Sequence, residues 1–183
     1  MYRCLKRVRF ILVFLPLWLF STPSLATCPQ WLNHTVGKLH SNDTVNLCDV
    51  VADRPVLIAN TASHCGFTYQ YGELETLHQE YKDRGLVVVG FPSNDFRQET
   101  DDEAESAKIC YVNHGVTFTM TDRVHVKGSE AHPIFQHLGD TQGAPGWNFN
   151  KYLVDANGKV VKRFPSSVKP SSKLMRQYIE TLL

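Results

Sequence analysis

One cysteine stands where chemistry could be built. In Asn60-Thr61-Ala62-Ser63-His64-Cys65-Gly66-Phe67-Thr68 a short apolar run breaks into a loop that carries Cys65 just ahead of a helical pattern. Upstream, Arg54-Pro55-Val56-Leu57-Ile58-Ala59 reads as a buried strand bounded by a proline. Downstream, Tyr71, Leu74, Leu77 and Tyr81 recur at helical spacing, with Gly85 as the stop. A thiol between a strand end and a helix start meets unpaired N–H groups and the positive end of the helix dipole, which favour thiolate over thiol. His64 is placed to add a cation. The competing reading of a free cysteine is inert packing, and position alone does not choose between the two.

The elements that must position Cys65 follow from the pattern around it. Residues 86–91, Leu-Val-Val-Val-Gly-Phe, form a continuous apolar run that suits a strand buried on both faces, as in a parallel sheet covered by helices. Strand, helix, strand with a right-handed crossover brings the carboxyl ends of both strands together, so Cys65 and Asn94 are expected to meet. Thr100-Asp101-Asp102-Glu103 is a capping box that predicts a helix to His114, with Cys110 riding on it. A third extended segment is expected over 117–126, and a short helix from His132-Pro133-Ile134-Phe135 to near Gly139. Residues 151–154 and 159–164, joined by Asp155-Ala156-Asn157-Gly158, form a hairpin, because Asn-Gly tolerates the positive φ of tight turns. Ser171 or Ser172 caps a last helix with Leu174, Met175, Tyr178, Ile179 and Leu182 on one apolar face. These patterns establish an α/β sandwich.

Composition narrows the function classes. A chain of 183 residues without repeats is read as one compact domain, and 19 basic against 18 acidic residues leave a net charge of +1 with no basic field for nucleic acid. The eight histidines show no H-x-x-x-H spacing and no Gly-rich phosphate loop is present, so neither a metal nor a cofactor is expected. Arg3, Lys6, Arg7 and Arg9 precede an apolar run over 10–20, and Ser24-Leu25-Ala26 supplies small residues for cleavage, so 1–26 reads as a secretory signal peptide. The apolar run is about half the ~20 residues a spanning helix needs. Threonine before Cys28 fits a lipoprotein motif poorly. The expected product is a single domain over 27–183, periplasmic or secreted, with no stable membrane association. Removing Cys4 leaves Cys28, Cys48, Cys65 and Cys110, which allow three complete pairings. Cys28 and Cys48 flank a predicted hairpin with strands at 36–39 and 44–47 and Ser41-Asn42-Asp43 at its turn. A disulfide staple between them suits an oxidising compartment.

Three segments, in order, resemble the signature segments of glutathione peroxidases: residues 60–72, Gly90-Phe91-Pro92-Ser93-Asn94-Asp95-Phe96, and Gly146-Trp147-Asn148-Phe149-Asn150-Lys151-Tyr152-Leu153-Val154-Asp155. The likeness runs from about Leu32 to the end. It implies a thioredoxin-like sandwich: a mixed central sheet with helices on both faces and an N-terminal β-hairpin. It also implies reduction of hydrogen peroxide or organic hydroperoxides at Cys65, with glutathione or a thioredoxin-like protein as reductant. By the same resemblance, the Trp147 indole N–H and the Asn148 amide are the donors beside the sulfur. Without it, a tryptophan ahead of an aromatic strand is ordinary core.

Two departures from the family pattern matter. Asp95 stands where the family usually has glutamine, and an ionised carboxylate near the sulfur would oppose thiolate formation. Asp95 is therefore either protonated, turned away, or replaced in its role by Gln98. Ser93 stands where relatives often have cysteine. The stretch Ile109-Cys110-Tyr111-Val112-Asn113-His114-Gly115-Val116-Thr117-Phe118 resembles the resolving-cysteine helix of thioredoxin-dependent members, which makes Cys110 the expected partner of oxidised Cys65. Family members that form tetramers carry a longer segment before the tryptophan block, so the resemblance implies a monomer here, where only a short loop separates Leu138 from Trp147. The alternatives are a thiol-disulfide exchanger, although Cys65-Gly66-Phe67-Thr68 lacks the second cysteine of C-x-x-C, or a non-enzymatic periplasmic binding module.

Overall fold

Two six-residue strands, β3 (Val56–Thr61) and β4 (Val87–Pro92), are buried along their whole length and pair in parallel from Val56↔Val87 to Thr61↔Pro92. The computed structural model describes residues 28–183; the leader expected over 1–26, and the start at Thr27, lie outside the described residues. Two short strands, β1 (Thr35–Gly37) and β2 (Thr44–Asn46), form a separate antiparallel hairpin ahead of this pair. The main sheet has the order β5-β4-β3-β6-β7, with β5 (Thr119–Met120), β6 (Lys151–Val154) and β7 (Val160–Phe164). β5 joins in parallel, while β6 and β7 are antiparallel, so the sheet is mixed.

Side chains alternate across a strand, and here they fill two cores. Leu57 and Ala59 of β3, Val88 of β4 and Leu153 of β6 lie in one core. They pack with Tyr71, Leu74 and Leu77 of α2 (Gln70–Tyr81) and Met175 and Ile179 of α5 (Lys173–Glu180). Val56, Ile58, Val87, Val89, Tyr152 and Val154 point the other way. They meet Leu47 and Val51 of α1 (Leu47–Val51) and Ile134, Phe135 and Leu138 of α4 (Pro133–Gln142). This is the thioredoxin-like sandwich that the resemblance implied.

The N-terminal hairpin is shorter than expected, its first strand ending at Gly37 rather than Leu39 and its second at Asn46 rather than Leu47. Leu47 opens a helix, because Asn46 acts as its N-cap and accepts the Cys48 N–H at 2.8 Å, so Cys48 rides on α1. The Cys28–Cys48 disulfide is present, with Cα atoms 5.7 Å apart.

Four further expectations are corrected. The helix predicted from Thr100 begins at Glu103: Asp102 is the cap, accepting the Ala104 and Glu105 N–H groups, while Thr100 Oγ1 accepts the Asp102 N–H at 3.1 Å in the turn before it. This helix, α3 (Glu103–Ala107), continues as a π-helical stretch, Lys108–Asn113, that carries Cys110. The extended segment expected over 117–126 forms a ladder with β4 at Thr119 and Met120, followed by single bonds from the Thr121 and Val124 N–H groups to the Gly90 and Pro92 carbonyls, both at 3.0 Å. Beyond it the Asp95 carboxylate, not a neighbouring strand, takes the N–H groups of Val126 and Lys127. α4 passes Gly139 and ends at Gln142, before Gly143 at φ 83°. Ser172 caps α5, but Leu174 is turned outward and 46% exposed, leaving Met175 and Ile179 as the buried face.

The β6–β7 hairpin forms around Gly158 at φ 79°. There the Asp155 carboxylate accepts the N–H groups of Asn157 and Lys159, both at 2.9 Å.

Candidate active site

Cys65 lies in the turn that leaves β3, and Thr68 closes that turn. The Thr68 hydroxyl accepts the Cys65 N–H at 3.0 Å and donates to the Ala62 carbonyl at 2.9 Å, while the Thr68 N–H returns to the Cys65 carbonyl at 2.9 Å. Cys65 is 8% exposed, and its sulfur accepts the Phe67 N–H at 3.4 Å. A turn over 65–69 separates it from the first regular residue of α2, Gln70. The macrodipole acts mainly within the first turn of a helix, so the donor actually in contact with the sulfur is a loop amide. The His64 ring, expected to add a cation, faces Glu105 instead, with Nε2 3.5 Å from the carboxylate.

Asn60, buried near the end of β3, fixes the third signature segment beside the cysteine loop. Its Nδ2 donates to the Trp147 carbonyl at 3.1 Å, its carbonyl accepts the Phe149 N–H at 2.7 Å, and its Oδ1 accepts the Asn150 N–H at 3.1 Å. Asn150 and Ser166 complete the bracing: Asn150 Nδ2 donates to the Trp147 carbonyl at 2.9 Å, and the Ser166 hydroxyl donates to the Asn148 carbonyl at 2.6 Å. Trp147 is therefore held by its backbone while its side chain stays 40% exposed, which is not the core placement a tryptophan there would otherwise take. Its ring lies 5.3 Å from that of Phe96.

Asn148 is fully buried, and its Nδ2 donates to Gln98 Oε1 at 3.2 Å. The Gln98 carbonyl accepts the N–H of His64, the residue before Cys65, at 2.8 Å. Hydrogen bonds thus connect Asn148, Gln98 and the cysteine loop. Asn148 Oδ1 has no hydrogen-bond partner among the described residues.

Asp95 faces elsewhere. Its carboxylate accepts the Val126 N–H at 2.6 Å and the Lys127 N–H at 3.1 Å, and pairs with His125 Nδ1 at 2.7 Å. Burial works to raise the Asp95 carboxyl pKa, but the His125 and backbone hydrogen bonds outweigh it and hold the group below its ordinary value. It is an ionised carboxylate engaged by residues 125–127, and the side-chain amide that reaches Asn148 belongs to Gln98.

Cys110 is fully buried with its thiol directed at the Ala107 carbonyl, 3.5 Å away. Burial first, with a contribution from the nearby Glu99 charge, pushes its pKa up to about 12. Cys65 and Cys110 are both unbridged.

Sequence reasoning gave no role to Asn60, Glu99, Lys151 or Ser166. The available signal was a polar residue inside an apolar stretch, as with Asn60 after Leu57-Ile58-Ala59 and Lys151 before Tyr152-Leu153-Val154. Most buried polar groups are hydrogen-bonded, and Lys151 Nζ has acceptors at Val168 O, Gln70 Oε1 and Pro165 O, at 2.6, 2.8 and 3.4 Å.

A thioredoxin-like sandwich with one thiol in the turn after a central strand, and amide side chains linked to that turn, defines a thiol-based oxidoreductase. Comparison with known proteins narrows the class. Residues 34–139 match the family model for glutathione peroxidase. The chain is 47% identical over 137 residues to a glutathione peroxidase homolog, BsaA, of Halalkalibacterium halodurans, covering 72% of this chain and 86% of that protein. It is 45% identical over 142 residues to glutathione peroxidase-like peroxiredoxin 2 of Saccharomyces cerevisiae, covering 74% and 86%. A crystal structure of Trgpx in apo form superposes with a TM-score of 0.66 at 29% identity, covering 85% of this chain and 96% of that one. The chain belongs to the glutathione peroxidase family.

Proposed function

We propose that this protein is a thiol peroxidase that reduces hydrogen peroxide or organic hydroperoxides through Cys65. The Cys65 thiolate attacks one peroxide oxygen, the O–O bond breaks, and the leaving oxygen departs as water or alcohol after taking a proton, which leaves Cys65 as a sulfenic acid. Trp147 Nε1 and the Asn148 amide are the donors for the sulfur and the departing oxygen, and Gln98 orients Asn148. The Cys110 thiol then attacks the Cys65 sulfur, the S–O bond breaks, water leaves and a disulfide forms. A dithiol donor of thioredoxin type returns two electrons; glutathione is the alternative reductant.

The observation that carries this reading is the Phe67 N–H on the Cys65 sulfur, in a turn tied through Gln98 to Asn148. A disulfide-exchange reading is disfavoured because Thr68 stands where the second cysteine of a C-x-x-C would be, and its hydroxyl is spent on closing the cysteine turn. The leader pattern and the Cys28–Cys48 disulfide support a periplasmic or secreted protein, and the short loop between Leu138 and Trp147 supports a monomer.

Peroxide consumption measured with glutathione and, separately, with a thioredoxin-like donor tests the proposal. Turnover with the thioredoxin-like donor is expected, and turnover with neither would contradict it. Trp147→Phe and Asn148→Ala should each slow the peroxide step by roughly 10²-fold, the scale of losing one preorganised donor.

A further inference from the structure

We infer that Asp95 and His125 are a positioning pair that sets the Trp147 indole from outside the reacting groups. This rests on the peroxidase reading above and gives a role to residues that reading does not use.

The connection can be traced contact by contact. The Asp95 carboxylate binds three groups of one short segment: His125 Nδ1 at 2.7 Å, the Val126 N–H at 2.6 Å and the Lys127 N–H at 3.1 Å. Past the Thr119–Met120 ladder that segment keeps single backbone bonds to β4, from Thr121 N–H to Gly90 O and Val124 N–H to Pro92 O, and at 126 and 127 the Asp95 carboxylate takes the N–H groups. Fixing the Lys127 backbone places its ammonium 4.3 Å from the centre of the Phe96 ring. Phe96 follows Asp95 in the chain, and its other ring neighbour is Trp147, 5.3 Å away at 51°. Lys127, Phe96 and Trp147 thus form a column, and the Asp95 carboxylate fastens both its first member and the turn bearing its second. Because the Trp147 backbone is pinned by Asn60 and Asn150, the freedom left to this residue is in its half-exposed side chain, the part Phe96 touches.

The pair also makes the column sensitive to pH. His125 is open to solvent on one side, and the charged groups around it are Asp95, Glu130 and Arg123, with Asp101 paired to Arg123 at 2.7 Å and Lys127 two residues further along the chain. The Asp95 hydrogen bond first, and then its charge, raise the His125 pKa above the ordinary histidine value. The pair is doubly charged from above the lowered Asp95 pKa up to the raised His125 pKa. As pH rises through the latter, the imidazole loses its charge, and what remains is a hydrogen bond from a neutral ring N–H to the Asp95 carboxylate.

The test uses the full chain, ¹⁵N-labelled at its tryptophan indoles, with the Trp147 cross-peak assigned by its loss in Trp147→Phe. In wild type this peak should titrate with the raised His125 midpoint. In Asp95→Asn and in His125→Gln the peak should be displaced and that titration abolished. The rate constant for Cys65 oxidation by hydrogen peroxide should fall about tenfold in both variants, less than the ~10²-fold lost with a donor itself. In a Trp147→Phe background the same substitutions should cost almost nothing further, because the pair acts through the indole. An unmoved Trp147 peak, or a rate loss that adds in full to that of Trp147→Phe, would overturn the inference. His125 is exposed, so His125→Gln decides the matter even where Asp95→Asn impairs folding. A wild type with no peroxide turnover would defeat the underlying reading, whereas normal wild-type turnover with unaffected variants defeats only the positioning pair.

Discussion

The Glu99 carboxylate accepts both the backbone N–H and the hydroxyl of Ser63, at 3.1 and 2.5 Å, two residues ahead of Cys65. It also accepts the Thr100 N–H at 3.1 Å, and the Ser63 hydroxyl lies 3.5 Å from that of Ser106 on α3. One buried acid therefore joins the cysteine turn, the second signature segment and the helix leading to Cys110. Glu99→Ala should cost about 2 kcal/mol or more, because three donors lose their acceptor in the interior. Burial raises the Glu99 pKa despite these hydrogen bonds. A carboxyl raised in the fold holds its proton longer than the unfolded chain does, so its contribution falls as pH rises from about 4.3, the unfolded value, through the folded one. The difference in melting temperature between wild type and Glu99→Gln, followed across that window, should shift in favour of the variant as pH rises. A pH-independent difference would remove Glu99 from the titrating groups.

Cys28→Ser or Cys48→Ser should lower stability by roughly 3 kcal/mol, the chain-entropy scale for a loop of this length. The bridge anchors α1 to the residues before β1. Chemical denaturation of wild type under oxidising and reducing conditions checks this. Equal midpoints would mean the bridge adds nothing to the folded state, and the peroxide rate at Cys65 should be unaffected throughout.

Lys151 is fully buried, and burial pushes its pKa down to about 7 even with three oxygen acceptors around Nζ. Between about 7 and the unfolded lysine value of about 10.4, the unfolded chain binds more protons, so this group makes stability rise with pH over that window. Lys151→Met should lose that slope while disturbing the loop that Val168 and Pro165 anchor. Denaturation midpoints at pH 7 and pH 9 measure it; identical slopes in both proteins would show that Lys151 stays charged in the fold.

The parts of the fold set by local chemistry were legible in the sequence. The runs Val56 to Ala59 of β3 and Val87 to Phe91 of β4 are apolar because both faces are covered, and Asn157-Gly158 announced the β6–β7 turn. What was not legible depends on groups distant in the chain. Nothing in the residues from 121 to 127 states that Asp95 will take the Val126 and Lys127 N–H groups, so a long strand was the natural reading. α1 is five residues long and its cap, Asn46, also ends a strand, so the helical signal was too short to separate from the hairpin. At the site, the position of Cys65 was legible from the strand-to-loop change. The engagement of Asp95 by His125 and of Asn148 by Gln98 was not, since a side-chain direction has no period in the sequence.

Cys110 should be unreactive while its helix is closed, because a buried thiol with a pKa near 12 is almost wholly protonated at neutral pH. In the reduced protein, alkylation should modify Cys65 well before Cys110, and Cys110 labelling should follow the opening of the π-helical stretch. After one equivalent of peroxide, peptide mapping should find a Cys65–Cys110 bridge. A persistent Cys65 sulfenic acid beside unmodified Cys110 would assign reduction to an external thiol instead.

The most direct measurement is the rate of hydrogen peroxide consumption by reduced wild type and Cys65→Ser, at equal concentration and with melting curves recorded for both. The account predicts a Cys65→Ser protein that melts like wild type and consumes peroxide no faster than buffer. A Cys65→Ser protein that retains the wild-type rate would contradict it.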